Sequence, residues 1–370
     1  MAGLCGTFDS AFTLEEGGLA GQSFPKVINA RQIALGDCYA AVHHSFSLSG
    51  GNPSAFDHTI QSVSGLSYSA LTWDRFNQFL GTSFKVSQTV MGFGLHHWGT
   101  QDIEGRGDQA EDITGFFSDQ NYNLNFGFAR AFKNSFYLGL KGSLIYRDIQ
   151  NFSAWGSGIG LGTFFEPKDW IMTGLILNDI FSIEDWNVEQ TVKTYLPNMR
   201  WGIGLAPTEF LLWTLDIEKY FPQEGASIQN YFTIHSGLEI GISRYFKIRL
   251  GWDDGQWSGG TGFLFPLINR FVQFDYGIKM GKGDLSAGHY FTLQFFKGDL
   301  PAIQTKTSEV DRDLSVDEEV KFEWILGCEL EKNKNIEEAI VHWERVIELC
   351  KSKKDPLYKM ARKKIKEYGK

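Results

Sequence analysis

Long apolar runs are missing from this chain of 370 residues. No stretch approaches the roughly 18 consecutive apolar residues that a spanning helix needs, so any passage through a bilayer has to be made by strands. Basic charge is also scarce: 35 Lys and Arg stand against 44 Asp and Glu, a formal net charge of -9. Without a basic stripe, nucleic acid is excluded as a partner. The four cysteines, Cys5, Cys38, Cys328 and Cys350, show no metal-ligand spacing. A Cys328–Cys350 bridge would join two helices of one hairpin with an offset of about 15 Å, too far for a disulfide. All four therefore read as small apolar residues. Met1–Cys5 has neither a basic n-region nor an apolar h-region and reads as the start of a processed or mis-started chain. There is no Gly-x-Ser-x-Gly, no phosphate loop and no His-Glu-x-x-His, so neither an enzyme nor a cofactor is expected. Asp253-Asp254-Gly255 opens like a calcium loop, but the acidic residues that should follow are absent, and it reads as a tight turn. His96-His97-Trp98 ends a strand, where neighbouring side chains point to opposite faces, so no metal set is expected there.

What the chain does have is aromatics (15%), 41 glycines and alternation. Glycine averages about 7% in soluble proteins; barrels use it where strands bend and place aromatics at membrane interfaces. Leu124, Phe126, Phe128 and Phe132 share one face, with Asn123, Asn125, Gly127 and Ala129 opposite. Leu211, Trp213, Leu215 and Ile217 oppose Thr214, Asp216 and Glu218, and Phe246, Ile248, Leu250 and Trp252 oppose Lys247, Arg249 and Gly251. This period of two predicts strands near 60–72, 77–86, 88–99, 118–132, 135–150, 152–166, 169–178, 198–207, 210–220, 230–241, 245–253, 257–266, 269–280 and 287–297. About fourteen strands, an even number of suitable length, fit an all-β transmembrane barrel of antiparallel strands. Short connections at 86–87, 133–134, 166–168, 207–209, 242–244 and 267–268 alternate with long ones at 100–117, 180–196 and 221–229. Short periplasmic turns and long outer loops are the outer-membrane pattern, which puts both termini in the periplasm. A soluble sandwich or propeller is the competing reading, but it has no reason to segregate loop lengths or to gather Lys141, Arg147, Lys247 and Arg249 on one face.

Residues 30–55, ARQIALGDCYAAVHHSFSLSGGNPSA, break the rhythm: they are rich in small residues and precede the first strand. Ala30, Arg31, Gly36, Asn52, Pro53 and Ala55 resemble the N-terminal segment of the long-chain fatty acid transporter (FadL) family and of its PorV/PorQ relatives. His43-His44-Ser45 stands where an acidic step is expected, and Asn-Pro-Ser-Ala where Asn-Pro-Ala is. The closing stretches Ile248–Trp252, Gly259–Gly262, Phe274–Tyr276 and Gly288–Phe291 resemble the final PorV/PorQ strands. The resemblance implies a hatch or plug over residues 1–59, with a hatch turn using Arg31, Gly36, Asn52 and Pro53, inside a barrel over 60–297. His43-His44 reads as polar filler of that hatch, with a pH-sensitive latch as the alternative. Residues 298–317 read as a linker. Residues 318–370 read as a helical hairpin with a third, Lys-rich helix; Gly327, Ala339 and Trp343 fall at the small and aromatic positions of a tetratricopeptide repeat.

Two functions follow as expectations from the resemblance. In the first, the barrel sits in outer-membrane lipid and binds or passes a hydrophobic small molecule such as a fatty acid. Its lateral opening would lie at the third strand, where Gly92, Gly94 and His96 mark the path and the glycines permit a kink; ordinary barrel glycine is the alternative. In the second, the barrel is a non-conducting scaffold or shuttle for a secreted surface protein, and residues 318–370 dock a periplasmic protein. A continuous apolar pocket lined by the hatch favours the first, and a filled lumen with an apolar loop surface favours the second.

Overall fold

The computed structural model describes residues 29–43, 51–56, 60–107, 112–133, 135–188, 192–195, 197–221, 232–267, 270–281, 286–298 and, beyond these, 320, 323–325, 327–328, 330–331, 336–350 and 356–368. Residues 1–28 of the expected hatch, His44, the 222–229 loop, most of the expected linker and the turn at Asn333–Asn335 lie outside the described residues.

Fourteen antiparallel strands close into a barrel. They are β1 (Ile60–Ala70), β2 (Arg75–Val86), β3 (Thr89–Arg106), β4 (Ile113–Lys133), β5 (Phe136–Ile149), β6 (Phe152–Lys168), β7 (Ile171–Trp186), β9 (Asn198–Thr208), β10 (Leu211–Tyr220), β11 (Phe232–Gly241), β12 (Phe246–Asp253), β13 (Gln256–Leu267), β14 (Arg270–Lys279) and β15 (Gly288–Gly298). A two-residue strand, β8 (Val192–Lys193), pairs with the end of β7 outside the ring. β1 pairs with β15 and β6 with β7, so no edge is left open. Closure satisfies the backbone where no water can.

The alternation read from the sequence is the inside and outside of this wall. Leu293, Leu66, Leu80, Leu95, Leu124 and Leu144 stand directly opposite one another across β15, β1, β2, β3, β4 and β5. The last five are 41–61% exposed and form one row of an outward apolar belt. Their inward neighbours Ser67, His96, Asn123 and Asn125 are buried. Such a belt suits contact with lipid acyl chains.

The fourteen expected strands are all present, and three run further than the alternation indicated. β3 continues to Arg106, β4 begins at Ile113 and β7 continues to Trp186, so the expected loops over 100–117 and 180–196 are in large part strand. His96-His97-Trp98 accordingly lies inside β3 rather than at its end. At 21 residues, β4 is about twice the 9–11 needed to cross a bilayer. The surplus of β3 is polar, as in Gln101-Asp102-Ile103-Glu104, whereas the added stretches of β4 and β7 expose Ile113, Phe116, Phe181 and Ile183. Asp254 (φ 43°) and Gly255 (φ 87°) make the expected tight turn between β12 and β13, in the left-handed conformation a two-residue hairpin requires.

The chain divides into two compact units, 1–305 and 306–370. In the second, α2 (Ile336–Leu349), α3 (Pro356–Tyr368) and helical residues between 320 and 331 surround Trp343, which is fully buried with Val320, Ala339, Val346 and Ala361. Gly327 leaves the room that the Trp343 indole occupies; a Cβ there would meet the ring.

Candidate functional site

The described part of the hatch segment opens with a helix of five residues, α1 (Ala30–Ala34). So short a helix depends on its caps. Asn29 caps the start, its Oδ1 accepting from the Gln32 amide at 2.8 Å. Gly36 ends it in the left-handed conformation (φ 66°), with the Gly36 amide donating to the Ile33 carbonyl and the Asp37 amide to that of Gln32. These are the two bonds of a Schellman cap, which explains a glycine at that position.

From there the segment follows the inner wall around the barrel, backwards through the strand order. The Ala30 amide donates to Thr292 of β15, and Ala30 lies over Gly277 of β14. Ala34 lies against Gly260 of β13, Gly36 against Gly251 of β12 and Leu35 against Gly237 of β11. Ala40 reaches Gly202 of β9 and Gly174 of β7, and Asn52 and Pro53 cover Gly162 of β6 and Gly139 of β5. At each of these glycines a Cβ would collide with the hatch. The luminal glycines therefore form a seat for the hatch; close backbone approach, rather than the strand bending expected from composition, accounts for them.

Polar contacts fasten the hatch at three places. Arg31 makes a two-point ion pair with Glu239 of β11, Nε to Oε2 at 2.9 Å and Nη2 to Oε1 at 3.1 Å, and donates to the His43 carbonyl at 3.0 Å. Glu239 also accepts from Arg249 at 2.6 Å, and Arg249 donates to Asp275 at 2.7 Å. Arg200 of β9 donates to the Asp37 carbonyl and carboxylate at 2.6 and 3.2 Å and to Glu218 at 2.6 Å, and lies 4.0 Å over the Tyr39 ring. Asp216 of β10 accepts from the Tyr39 and Ala40 amides, both at 2.9 Å. Asn52 closes the segment: its Nδ2 donates to the Ala40 carbonyl (2.8 Å) and the Thr163 carbonyl (3.0 Å), and its Oδ1 accepts from the Ser54 amide and hydroxyl. Ser54, the extra residue of the Asn-Pro-Ser-Ala turn, thus completes it. Burial, the largest cause, holds Asp37 up at about 6, with the Asp253 carboxylate adding to it and Arg200 opposing.

On the side of the short turns, the hatch rests on apolar packing. Leu35, Cys38, Ala41, Val42 and Ala55 pack with Tyr137, Phe164, Met172, Ala206 and Leu212, and Phe56 packs with Val90 and Ala129. Cys38 is a buried thiol, and neither it nor Cys328 or Cys350 is in a disulfide among the described residues. His43 meets Glu166 at 2.8 Å beside Phe164.

The four expected hatch residues, Arg31, Gly36, Asn52 and Pro53, all lie on this seat. Gly92, Gly94 and His96 lie elsewhere, on the luminal face of β3. Pairing with β2 and β4 runs unbroken past all three, and the irregularities in the β3–β4 ladder fall between Thr100 and Ile103 and between Gly105 and Arg106. Gly94 accommodates the Phe79 ring, and His96 Nε2 bonds Asn77 Oδ1 at 2.9 Å. The wall partners Glu239, Arg200 and Asp216 were missed as site residues. Their inward position was visible in the alternation, but their pairing with the hatch spans 163 to 208 residues of sequence.

No family model matches the sequence, and no curated protein matches it. Solved structures do match. The Pseudomonas putida toluene transporter TodX aligns with a TM-score of 0.55 at 11% identity, over 73% of this chain and 98% of that one. A TodX monoaromatic hydrocarbon channel mutant aligns with a TM-score of 0.55 at 9% identity, over 73% and 99%. A Pseudomonas aeruginosa FadL homologue gives 0.53 at 9%, over 73% and 98%. The fold is that of the FadL-like outer-membrane barrels.

Proposed function

We propose that this chain is an outer-membrane barrel that passes small hydrophobic molecules, with residues 29–43 and 51–56 forming the gate. The carrying observation is the hatch: a capped segment seated on luminal glycines inside a closed barrel whose outer face bears a leucine belt. The likeness to a toluene transporter and a FadL homologue supports a hydrophobic substrate, and a monoaromatic hydrocarbon or a fatty acid is the class we propose. Passage requires the hatch to leave part of its seat, since it spans the wall from β15 to β5. A lateral exit at Gly92 and Gly94 belongs to this reading as a route formed when β3 moves. Both termini then face the periplasm, on the side of the short turns.

The competing proposal is a scaffold, in which the barrel holds a secreted surface protein. Nearly all of the TodX and FadL-homologue chains is matched by 73% of this one, which leaves about a quarter of this chain, a share larger than the helical unit 306–370, without a counterpart. Native mass spectrometry of the full chain, extracted in mild detergent, followed by lipid extraction, separates the two. A co-purified fatty acid or hydrocarbon supports passage. A stoichiometric protein, lost on deletion of residues 298–370, with no hydrophobe, supports the scaffold.

A further inference from the structure

We propose that the contact between the hatch and strands β11 and β12 is a binding site for one divalent cation of the zinc class, ligated by Asp37, His235 and Asp253. One ligand atom from each lies within 4.8 Å of the others, and all three residues are buried. Asp37 stands on the hatch; His235 and Asp253 face each other across the β11–β12 ladder.

The inner atoms of the trio face one another, whereas the outer ones are held by other groups. His235 Nδ1 and Asp253 Oδ1 meet at 2.8 Å, a contact that an ion would replace. Asp37 Oδ1 is buried with no partner, on a residue only 8% exposed. The opposite oxygens are occupied: Asp37 Oδ2 accepts from Arg200 at 3.2 Å, and Asp253 Oδ2 from Lys279. Each carboxylate thus turns one oxygen to a fixed cation and keeps one for an ion.

Charge points the same way. Asp37, Asp216, Glu218 and Asp253 meet two permanent cations, Arg200 and Lys279. Two carboxylates therefore exceed the cations at a buried site, where uncompensated charge is expensive. A divalent ion restores the balance. One imidazole nitrogen and two carboxylate oxygens, with water in a fourth position, suit zinc.

The remaining histidine nitrogen defines two states. His235 Nε2 lies 2.9 Å from Arg200 Nη2 and 3.1 Å from Thr233 Oγ1. Without metal, Arg200 donates to Nε2 and the ring proton sits on Nδ1. Ligation through Nδ1 moves the proton to Nε2, which then donates to Thr233, the usual support for a ligating histidine. Arg200 keeps Glu218 and the Asp37 carbonyl, both at 2.6 Å. With one ligand on the hatch and two on the wall, the ion would tie the gate shut, whatever the barrel passes.

The test uses the full chain folded in detergent, stripped with chelator and titrated with Zn2+ by calorimetry. Folding is followed by the gel shift of the intact barrel on heating, and hatch seating by thiol labelling of Cys38. The expected result is one equivalent of zinc, bound at least tenfold more weakly by Asp37→Asn and His235→Gln. Zinc should slow Cys38 labelling in the parent and not in these variants, and His97→Gln should retain the equivalent. The proposal is overturned if the folded parent takes up no equivalent, or if Asp37→Asn binds as the parent does. Asp37→Asn decides the matter should His235→Gln fail to fold.

Discussion

Arg31 on the hatch and Glu239 on β11 are joined by a two-point ion pair across 208 residues of sequence, and Glu239 is fully buried beneath it. Removing Arg31 leaves Glu239 with Arg249 and Lys247, so its charge stays partly covered. Arg31→Ala should weaken hatch seating by about 1–3 kcal/mol while the barrel stays closed. Thiol labelling of Cys38, which the hatch buries against the barrel wall, measures this; labelling no faster than in the parent would show that Arg31 is not a fastener.

Luminal glycines should tolerate nothing larger where the hatch crosses them. At Gly174 a Cβ would collide with the Ala40 carbonyl, whereas at Gly142 it would meet Phe126 at an ordinary 3.7 Å. Gly174→Val should expose the hatch to protease with the heat-dependent gel shift preserved, and Gly142→Ala should behave as the parent does.

Asn52→Ala removes donors to two carbonyls and the acceptor for Ser54. At roughly 1 kcal/mol per net hydrogen bond, hatch seating should weaken by about 2 kcal/mol. Asn52→Asp should be worse, since it aims a carboxylate at the same two carbonyls. Protection of hatch amides in hydrogen exchange gives the order.

Stability should depend on pH through Asp37. Its pKa rises from 3.8 to about 6 on folding, so folding favours the protonated form. The contribution is complete below pH 3.8 and is lost as pH rises through about 6. In chelator, the seated hatch should be harder to open at pH 5 than at pH 7, and Asp37→Asn should flatten that window. Cys38 labelling at the two pH values, corrected for the reagent's own pH dependence, measures it.

Trp343→Ala removes the centre of the helical core. It should destabilise residues 320–368 by about 3–5 kcal/mol. Proteolysis should then remove the helical unit while the barrel keeps its heat-dependent gel shift.

The barrel was legible because its rule is local: period two shows in every strand, as in Leu124, Phe126 and Phe128 against Asn123 and Asn125. Strand ends were less so: β3 runs on as polar strand where alternation stops, while β7 continues past Asn178 with exposed Phe181 and Ile183 against buried Ser182 and Glu184. Among site residues, Arg31, Gly36 and Asn52 stood out because the hatch segment breaks the strand rhythm. Their wall partners Arg200, Asp216 and Glu239 look like any inward charge. Only closure of the barrel brings them to the hatch. The Asp37–His235–Asp253 trio was hidden for the same reason, its members being scattered over 217 residues of chain.

The central claim, that the hatch gates passage of a hydrophobic molecule, can be tested by locking it. Cys38 Sγ on the hatch lies 3.8 Å from the Thr214 carbonyl of β10, so a thiol at position 214 stands within reach of it after a small backbone shift. In cells carrying Thr214→Cys, uptake of a labelled fatty acid or toluene should stop under oxidation and return on reduction. Equal uptake in both states, with the crosslink confirmed by mass spectrometry, would contradict the account.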